Sequence, residues 1–177
     1  MTTPCPSIVS DACVATLRAL ATATPPGAFV EVGVYKGGTA WHLAEIARQQ
    51  GRVLHLFDTF NGIPEAGPED REHKVGDFNA GGVDAVREAI PDAIFHIGMF
   101  PHTLPAERLG PLAFVHVDCD QYASIRACIQ LLWPDVVRGG VMLFDDYPDT
   151  SGCRKAVDEV FGARVETTTQ GKVFMRK

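Results

Sequence analysis

The chain of 177 residues is short of positive charge: 16 Lys and Arg stand against 22 Asp and Glu, a formal net charge of −6 at pH 7. That balance disfavours a nucleic-acid grip built from clustered cations, so no nucleic-acid partner is expected. No apolar run reaches the roughly 18 to 20 residues of a membrane span, and the opening MTTPCPSIVSDAC has no basic stretch leading into an apolar one. A soluble protein with no membrane partner and a cytoplasmic location is the expectation. Five cysteines (Cys5, Cys13, Cys119, Cys128, Cys153) are an odd, scattered set without a C-x-x-C pair, which fits neither a disulfide framework nor a zinc site. They read as reduced, mostly buried thiols. There is no clean G-x-G-x-x-G, no G-K-[ST] phosphate loop, no internal repeat and no low-complexity tract.

What is present is the material of a packed domain, with 46% hydrophobic and 21% charged residues. The length suits one domain of about 100 to 200 residues, here 1–177, with a short N-terminal helical segment (1–26) before a core (27–177). Val9, Cys13, Leu17 and Leu20 have helical spacing within residues 7–23 and are followed by the breakers Pro25, Pro26 and Gly27. Strand-like apolar runs then alternate with helical patterns: strands at 28–34, 52–58, 93–97, 112–117 and 141–144, and helices at 38–49, 83–90, 122–132 and 152–161. Residues 61–82 are polar and too long for an ordinary connection, and therefore functional or mobile. The tail after Phe161 reads as a hairpin around Gln170 and Gly171. The pattern predicts an α/β domain, a mainly parallel sheet with helices on both faces and an antiparallel C-terminal edge, whose ligand site lies beyond the carboxyl ends of the strands.

Three places carry candidate chemistry. In EVGVYKGGT (31–39) the first strand gives way to a helix through glycines that let a ligand approach the backbone, and Glu31 beside them suits a cationic group, or merely caps the strand end. Asp58 ends the second strand about 20 residues later, where an acidic side chain bonds ribose hydroxyls in nucleotide-binding α/β folds. Together they favour an adenosine-containing ligand. The strongest cluster is Asp118 and Asp120 of HVDCDQY with Asp145 and Asp146 of MLFDDYPD. If the two strands are neighbours, about 4.8 Å apart, these carboxylates converge and repel one another unless a cation joins them. Oxygen-only ligation suits magnesium, manganese or calcium better than zinc. Both Asp145 and Asp146 can take part only if the chain turns out of strand geometry between them. The alternative is a set of solvated loop acids and helix caps, Asp120 standing just before a helix. His116 shares a strand face with Asp118 and reads as a core residue before a ligand or base, as do His55 and His96. His73 and His102 lie in loops near the same rim. The aromatic residues read as core, with Phe60 and Phe100 as exceptions near a ligand.

The runs GAFVEVGVYKGGTA, LFDTFNGIPE, VGDF, IGMFPHTLP, HVDCDQYASIRACIQLLWPDVVRGGVMLFDDY and GCRKAVDEV resemble, in order, the motifs of the macrocin O-methyltransferase-like family, class I S-adenosylmethionine-dependent enzymes that methylate sugar hydroxyls with a divalent metal. The resemblance covers about residues 27–161. It implies a Rossmann-like class I methyltransferase fold with a mostly parallel seven-stranded sheet. It implies that Glu31 and Gly33 line the methionine part of S-adenosylmethionine, with Tyr35, Gly37 and Thr59 close by, that Asp58 holds the ribose, and that Gly98 to Phe100 lie by the adenine. It implies Asp118, Asp145 and Asp146 as ligands of Mg2+ or another hard divalent cation, Asp118 also bordering the cofactor, and Asp120 as general base. The expected function is metal-dependent O-methylation of a small hydroxylated molecule, a sugar or diol. The family's usual N-terminal helical cover is longer than the one here, so closure over substrate is expected from residues 61–82 or from a second subunit in a homodimer. Two other readings remain at this point. VDCD also matches the D-x-D of metal-dependent glycosyltransferases, and a non-catalytic S-adenosylmethionine-binding protein would keep the same pocket.

Overall fold

The computed structural model describes residues 5–177; the first four residues of the expected N-terminal segment lie outside them. The chain runs α1 (Asp11–Thr22), β1 (Ala28–Val32), α2 (Gly38–Gln50), β2 (Leu54–Asp58), α3 (Asp84–Ala89), β3 (Ile94–Ile97), β4 (Leu112–Val117), α4 (Tyr122–Leu132), β5 (Val136–Phe144), α5 (Ser151–Val160), β6 (Glu166–Thr167) and β7 (Val173–Arg176). The strands form one seven-stranded sheet in the order β3-β2-β1-β4-β5-β7-β6. The first five pair in parallel, while β7 runs antiparallel to both β5 and β6.

The parallel strands are uniformly apolar because helices cover both faces. Every residue of β4, LAFVHV, is buried. Alternate side chains serve two cores. Phe29, Leu56, Phe114 and Leu143 pack with α1, α2 and α3 on one face. Val30, Phe57, Val115 and Met142 pack with α4 and α5 on the other. Phe29 and Phe114, on neighbouring strands, meet edge to face at 5.9 Å, and burying each such ring contributes about 1.5–3 kcal/mol. Phe60 belongs to this core, so its expected place near a ligand is not where the fold puts it.

Local chemistry moves several boundaries. The first helix begins at Asp11 rather than residue 7, because the Ser10 hydroxyl accepts the Cys13 amide and caps it there; residues 7–10 are left outside the helix. The fifth strand starts at Val136 rather than 141, and Gly139 and Gly140 lie inside it instead of introducing it. Pairing with β4 jumps from Leu112↔Val136 to Phe114↔Val141, so β5 bulges between them. Gly139 adopts φ +84° in that bulge.

The tips of β1 and β4 approach closely. Gly33 has φ +91°, and a Cβ built on it would fall 1.7 Å from the carbonyl oxygen of Asp118. No other residue type fits there without parting the two strands. Gly33→Ala is expected to lower the melting temperature by about 10 °C or to prevent folding. Circular dichroism checks this, and a shift of under about 2 °C would mean that the strand tips part easily.

Candidate active site

Beyond the carboxyl ends of the parallel strands the chain encloses about 440 Å³, a volume in the range of cofactor sites. Its floor is the turn after β1, the end of β2, and the ends of β4 and β5; its walls are residues 6–10, parts of the 61–82 loop and the stretch 98–100. Asp58 organises the turn. One carboxylate oxygen accepts the amides of Val34 (2.6 Å) and Tyr35 (2.8 Å), and the other accepts that of Phe60 (2.6 Å). Tyr35 and Phe60 both have positive φ, so these bonds hold the two loops in otherwise disfavoured shapes. Asp58 still borders the cavity.

The acid cluster forms where β4 and β5 end side by side. Carboxylate oxygens of Asp118, Asp145 and Asp146 lie within 4.8 Å of one another. The turn that brings both Asp145 and Asp146 inward begins right after Phe144, the last residue of β5. The Asp145 amide donates to Val117 O (3.0 Å), and the Asp146 carboxylate turns back to accept the Asp120 amide (2.8 Å). Asp120 stands in the left-handed region, φ +60°. It does not cap α4 through its side chain. That place is taken by Asp70 from the 61–82 loop, whose Oδ1 accepts the Tyr122 amide at 2.7 Å.

Electrostatics separate the four acids. Burial, then Asp146 and Asp145, hold the Asp118 carboxyl well above its ordinary range. Burial and the same two neighbours push Asp120 up to about 8. Asp146 rises to about 6, through burial and Asp145. Asp145 moves the other way: burial would raise it, but His116 and Lys172 outweigh burial. Lys172 Nζ sits 3.0 Å from Asp145 and 3.0 Å from Asp149. His116 is wholly buried, with Nδ1 2.8 Å from Glu31 Oε1 and Nε2 3.7 Å from Asp145 Oδ1. Burial alone would lower its pKa, yet Asp145 and Glu31 raise it well above the usual value. Glu31 Oε2 has no hydrogen-bond partner. The converging oxygens of Asp118, Asp145 and Asp146, with Asp118 and Asp146 driven toward the protonated form, fit a hard divalent cation.

Of the residues singled out in the sequence, Gly33, Tyr35, Asp58, Thr59, Gly98, Phe100, Asp118, Asp120, Asp145 and Asp146 all border the one cavity. Glu31 and Gly37 are not among its lining residues. Glu31 lies opposite His116 in the sheet register and is fully buried, and Gly37, with φ +83°, shapes the N-terminus of α2. His55 and His96 pair with each other at 3.0 Å, with His96 stacked on Phe57 at 4.1 Å. Sequence reasoning missed residues 6–10, Asp70 and Lys172. Lys172 had no local signal, because only the hairpin's return beside β5 carries it to the acids. Asp58→Ala removes three charge-assisted hydrogen bonds, each worth about 1.5–3 kcal/mol. It is expected to cost about 3 kcal/mol or more in urea unfolding; a loss below about 1 kcal/mol would mean that the turn holds itself.

The family described as Macrocin-O-methyltransferase (TylF) matches residues 11–170. The 8-demethyl-8-(2,3-dimethoxy-alpha-L-rhamnosyl)-tetracenomycin-C 4'-O-methyltransferase of Streptomyces olivaceus is 32% identical over 154 residues, 77% of this chain and 59% of that protein. The demethyldecarbamoylnovobiocin O-methyltransferase of Streptomyces niveus is 32% identical over 151 residues, 76% of this chain and 58% of its own. The chain thus spans about three-fifths of the length of these relatives. The solved structure of the O-methyltransferase NovP superposes with a TM-score of 0.86 at 25% identity, covering 97% of this chain and 81% of NovP. The sheet order, the antiparallel C-terminal strands and the helices on both faces are those of the class I methyltransferase fold. A match from the first helix to the final hairpin leaves one conclusion about kinship: the chain belongs to the macrocin-O-methyltransferase (TylF) family.

Proposed function

We propose that this chain transfers a methyl group from S-adenosylmethionine to a hydroxyl of a small molecule, a sugar or vicinal diol, with the help of a divalent cation. The observation that carries the reading is that one cavity is bordered both by the Asp58-braced glycine turn and by Asp120 beside the three converging aspartates Asp118, Asp145 and Asp146. The kinship supports the same class of reaction, and relatives named for a rhamnosyl-bearing tetracenomycin and for demethyldecarbamoylnovobiocin favour a natural product, in the first case a glycosylated one, as acceptor.

In this reading Asp118, Asp145 and Asp146 hold the cation. When bound, it lowers the pKa of the acceptor hydroxyl or of its neighbour and fixes its position, while the sulfonium supplies a methyl group already activated by positive charge. The protein's own part is alignment and proton handling. The turn at Gly33 and the residues around Asp58 and Phe100 seat the cofactor, and residues 6–10 with the 61–82 loop limit the entry of water. Asp120 takes the hydroxyl proton as the new O–CH3 bond forms and the S–CH3 bond breaks. The step leaves S-adenosylhomocysteine and one proton on the enzyme. Holding the reacting atoms in line is worth about 7–11 kcal/mol in well-oriented systems, so small displacements of these loops matter to rate.

The test is titration calorimetry with S-adenosylhomocysteine, with and without magnesium, followed by assay of methyl transfer to a panel of rhamnosides and vicinal diols. Micromolar binding is expected, and turnover that falls at least about 100-fold with chelator, with Asp118→Asn and with Asp145→Asn. Turnover surviving all three would remove the cation from the mechanism. Binding without turnover on any acceptor would favour a cofactor-binding protein. No binding under either condition would overturn the reading as a whole.

A further inference from the structure

The 61–82 loop contains no helix or strand, yet it is fastened across the N-termini of α4 and α5. Asp70 accepts the Tyr122 amide at 2.7 Å, and the Gln121 side-chain amide donates to the carbonyl of Glu65. The Ser151 hydroxyl is 2.8 Å from the Glu69 carbonyl oxygen and 3.0 Å from Glu72 Oε2, and Lys155 pairs with Glu69 at 3.0 Å. Held this way, the loop presents His73 to the acid cluster, its Nε2 3.4 Å from Asp120 Oδ1, with the carboxylates of Asp70 and Asp77 also acting on Asp120. The imidazole is itself held. Its ring stands edge-on against Phe78 at 4.8 Å, and Phe78 stands edge-on against Tyr35 of the glycine turn at 6.0 Å. Its other nitrogen faces Asp77 at 3.9 Å. His73 and Asp120 both border the cavity.

We propose that His73 is a positioning residue for methyl transfer: an Nε2–H donated to the Asp120 carboxylate aims that group at the acceptor hydroxyl, so the base is in place only when the 61–82 loop is seated. The inference rests on the O-methyltransferase reading above. The backbone of Asp120 is fixed by its amide bond to Asp146, but a carboxylate still rotates about its side-chain torsions, and a second attachment from outside the strand end removes that freedom. Donor and acceptor at 3.4 Å make a loose contact, of the kind that tightens when substrate fills a catalytic site. The arrangement also links cover to chemistry. Tyr35, Phe78, His73 and Asp120 form a continuous row from the cofactor turn, through the loop, to the base.

The test compares His73→Phe, which keeps a ring against Phe78 without a donor, with His73→Gln, whose amide can still donate to Asp120. Methyl transfer is followed on the rhamnoside that the wild-type protein turns over fastest. His73→Phe is expected to lower kcat tenfold or more while acceptor KM and S-adenosylhomocysteine affinity stay within about twofold, and His73→Gln to recover most of kcat. In the Asp120→Asn background the Phe substitution should have little further effect, because the group it positions is gone. Unchanged kcat in His73→Phe would overturn the proposal, as would a loss carried in KM and cofactor affinity, or a Gln variant no better than Phe. The contact is also read without an acceptor. In 1H–13C spectra the His73 ring signal, identified by its loss in His73→Phe, is expected to shift in Asp120→Asn, and an unmoved signal would also overturn it. If wild-type protein methylates nothing, the functional reading has failed, and the ring signal still reports whether His73 meets Asp120.

Discussion

Mutual repulsion among buried carboxylates is the constraint around which this molecule is arranged. Asp118, Asp120, Asp145 and Asp146 are brought to one rim by the parallel pairing of β4 and β5, and nothing in that pairing relieves their charge. Relief comes from other groups. His116 reaches Asp145 from the β4 strand, Lys172 reaches it from the C-terminal hairpin, and the Asp120 backbone amide donates to one carboxylate oxygen of Asp146. These partners cover Asp145 best, and it alone of the four is held below its ordinary range. Burial of Asp118, Asp120 and Asp146 is left partly uncompensated, which is the condition under which a hard cation is gained most readily.

The same rim explains the division of labour in the cavity. At the β1–β2 side, Asp58 spends its carboxylate on three backbone amides, so its main structural work is to hold the turn that meets a ligand. At the β4–β5 side, side chains rather than amides face inward, and the chemistry there is that of charge. The close approach of Gly33 to Asp118 joins the two sides, since the tip of β1 cannot move without moving the first of the acids.

Much of this was legible in the chain. Apolar runs broken by glycine and proline give the strands of a doubly covered sheet their signature, and a DD pair after such a run places acids at its end. Asp58, Asp118, Asp120, Asp145 and Asp146 could all be read because a strand end is a local feature. What could not be read depends on distant partners. Asp70 caps a helix more than fifty positions away, Lys172 arrives through an antiparallel return, and Glu31 is turned toward His116 by a register that only pairing defines. The bulge at Gly139 and Gly140 looked like the opening of a strand because two glycines signal a turn equally well inside or before one. Residues 7–10 carried a helical spacing, and the Ser10 hydroxyl, whose bond depends on fine backbone geometry, set the start further along.

The hairpin that carries Lys172 has a consequence for how the protein is made. β7 pairs along the outer edge of β5, so the acids at the end of β5 leave the ribosome well before the cation that faces them. Until residue 172 emerges, a nascent chain holding every parallel strand of the sheet still lacks the edge cover of β5 and has only His116 to face Asp145. The acid rim is therefore completed after the parallel sheet, and a chain stalled before residue 172 would display an intact series of parallel strands around an unbalanced centre.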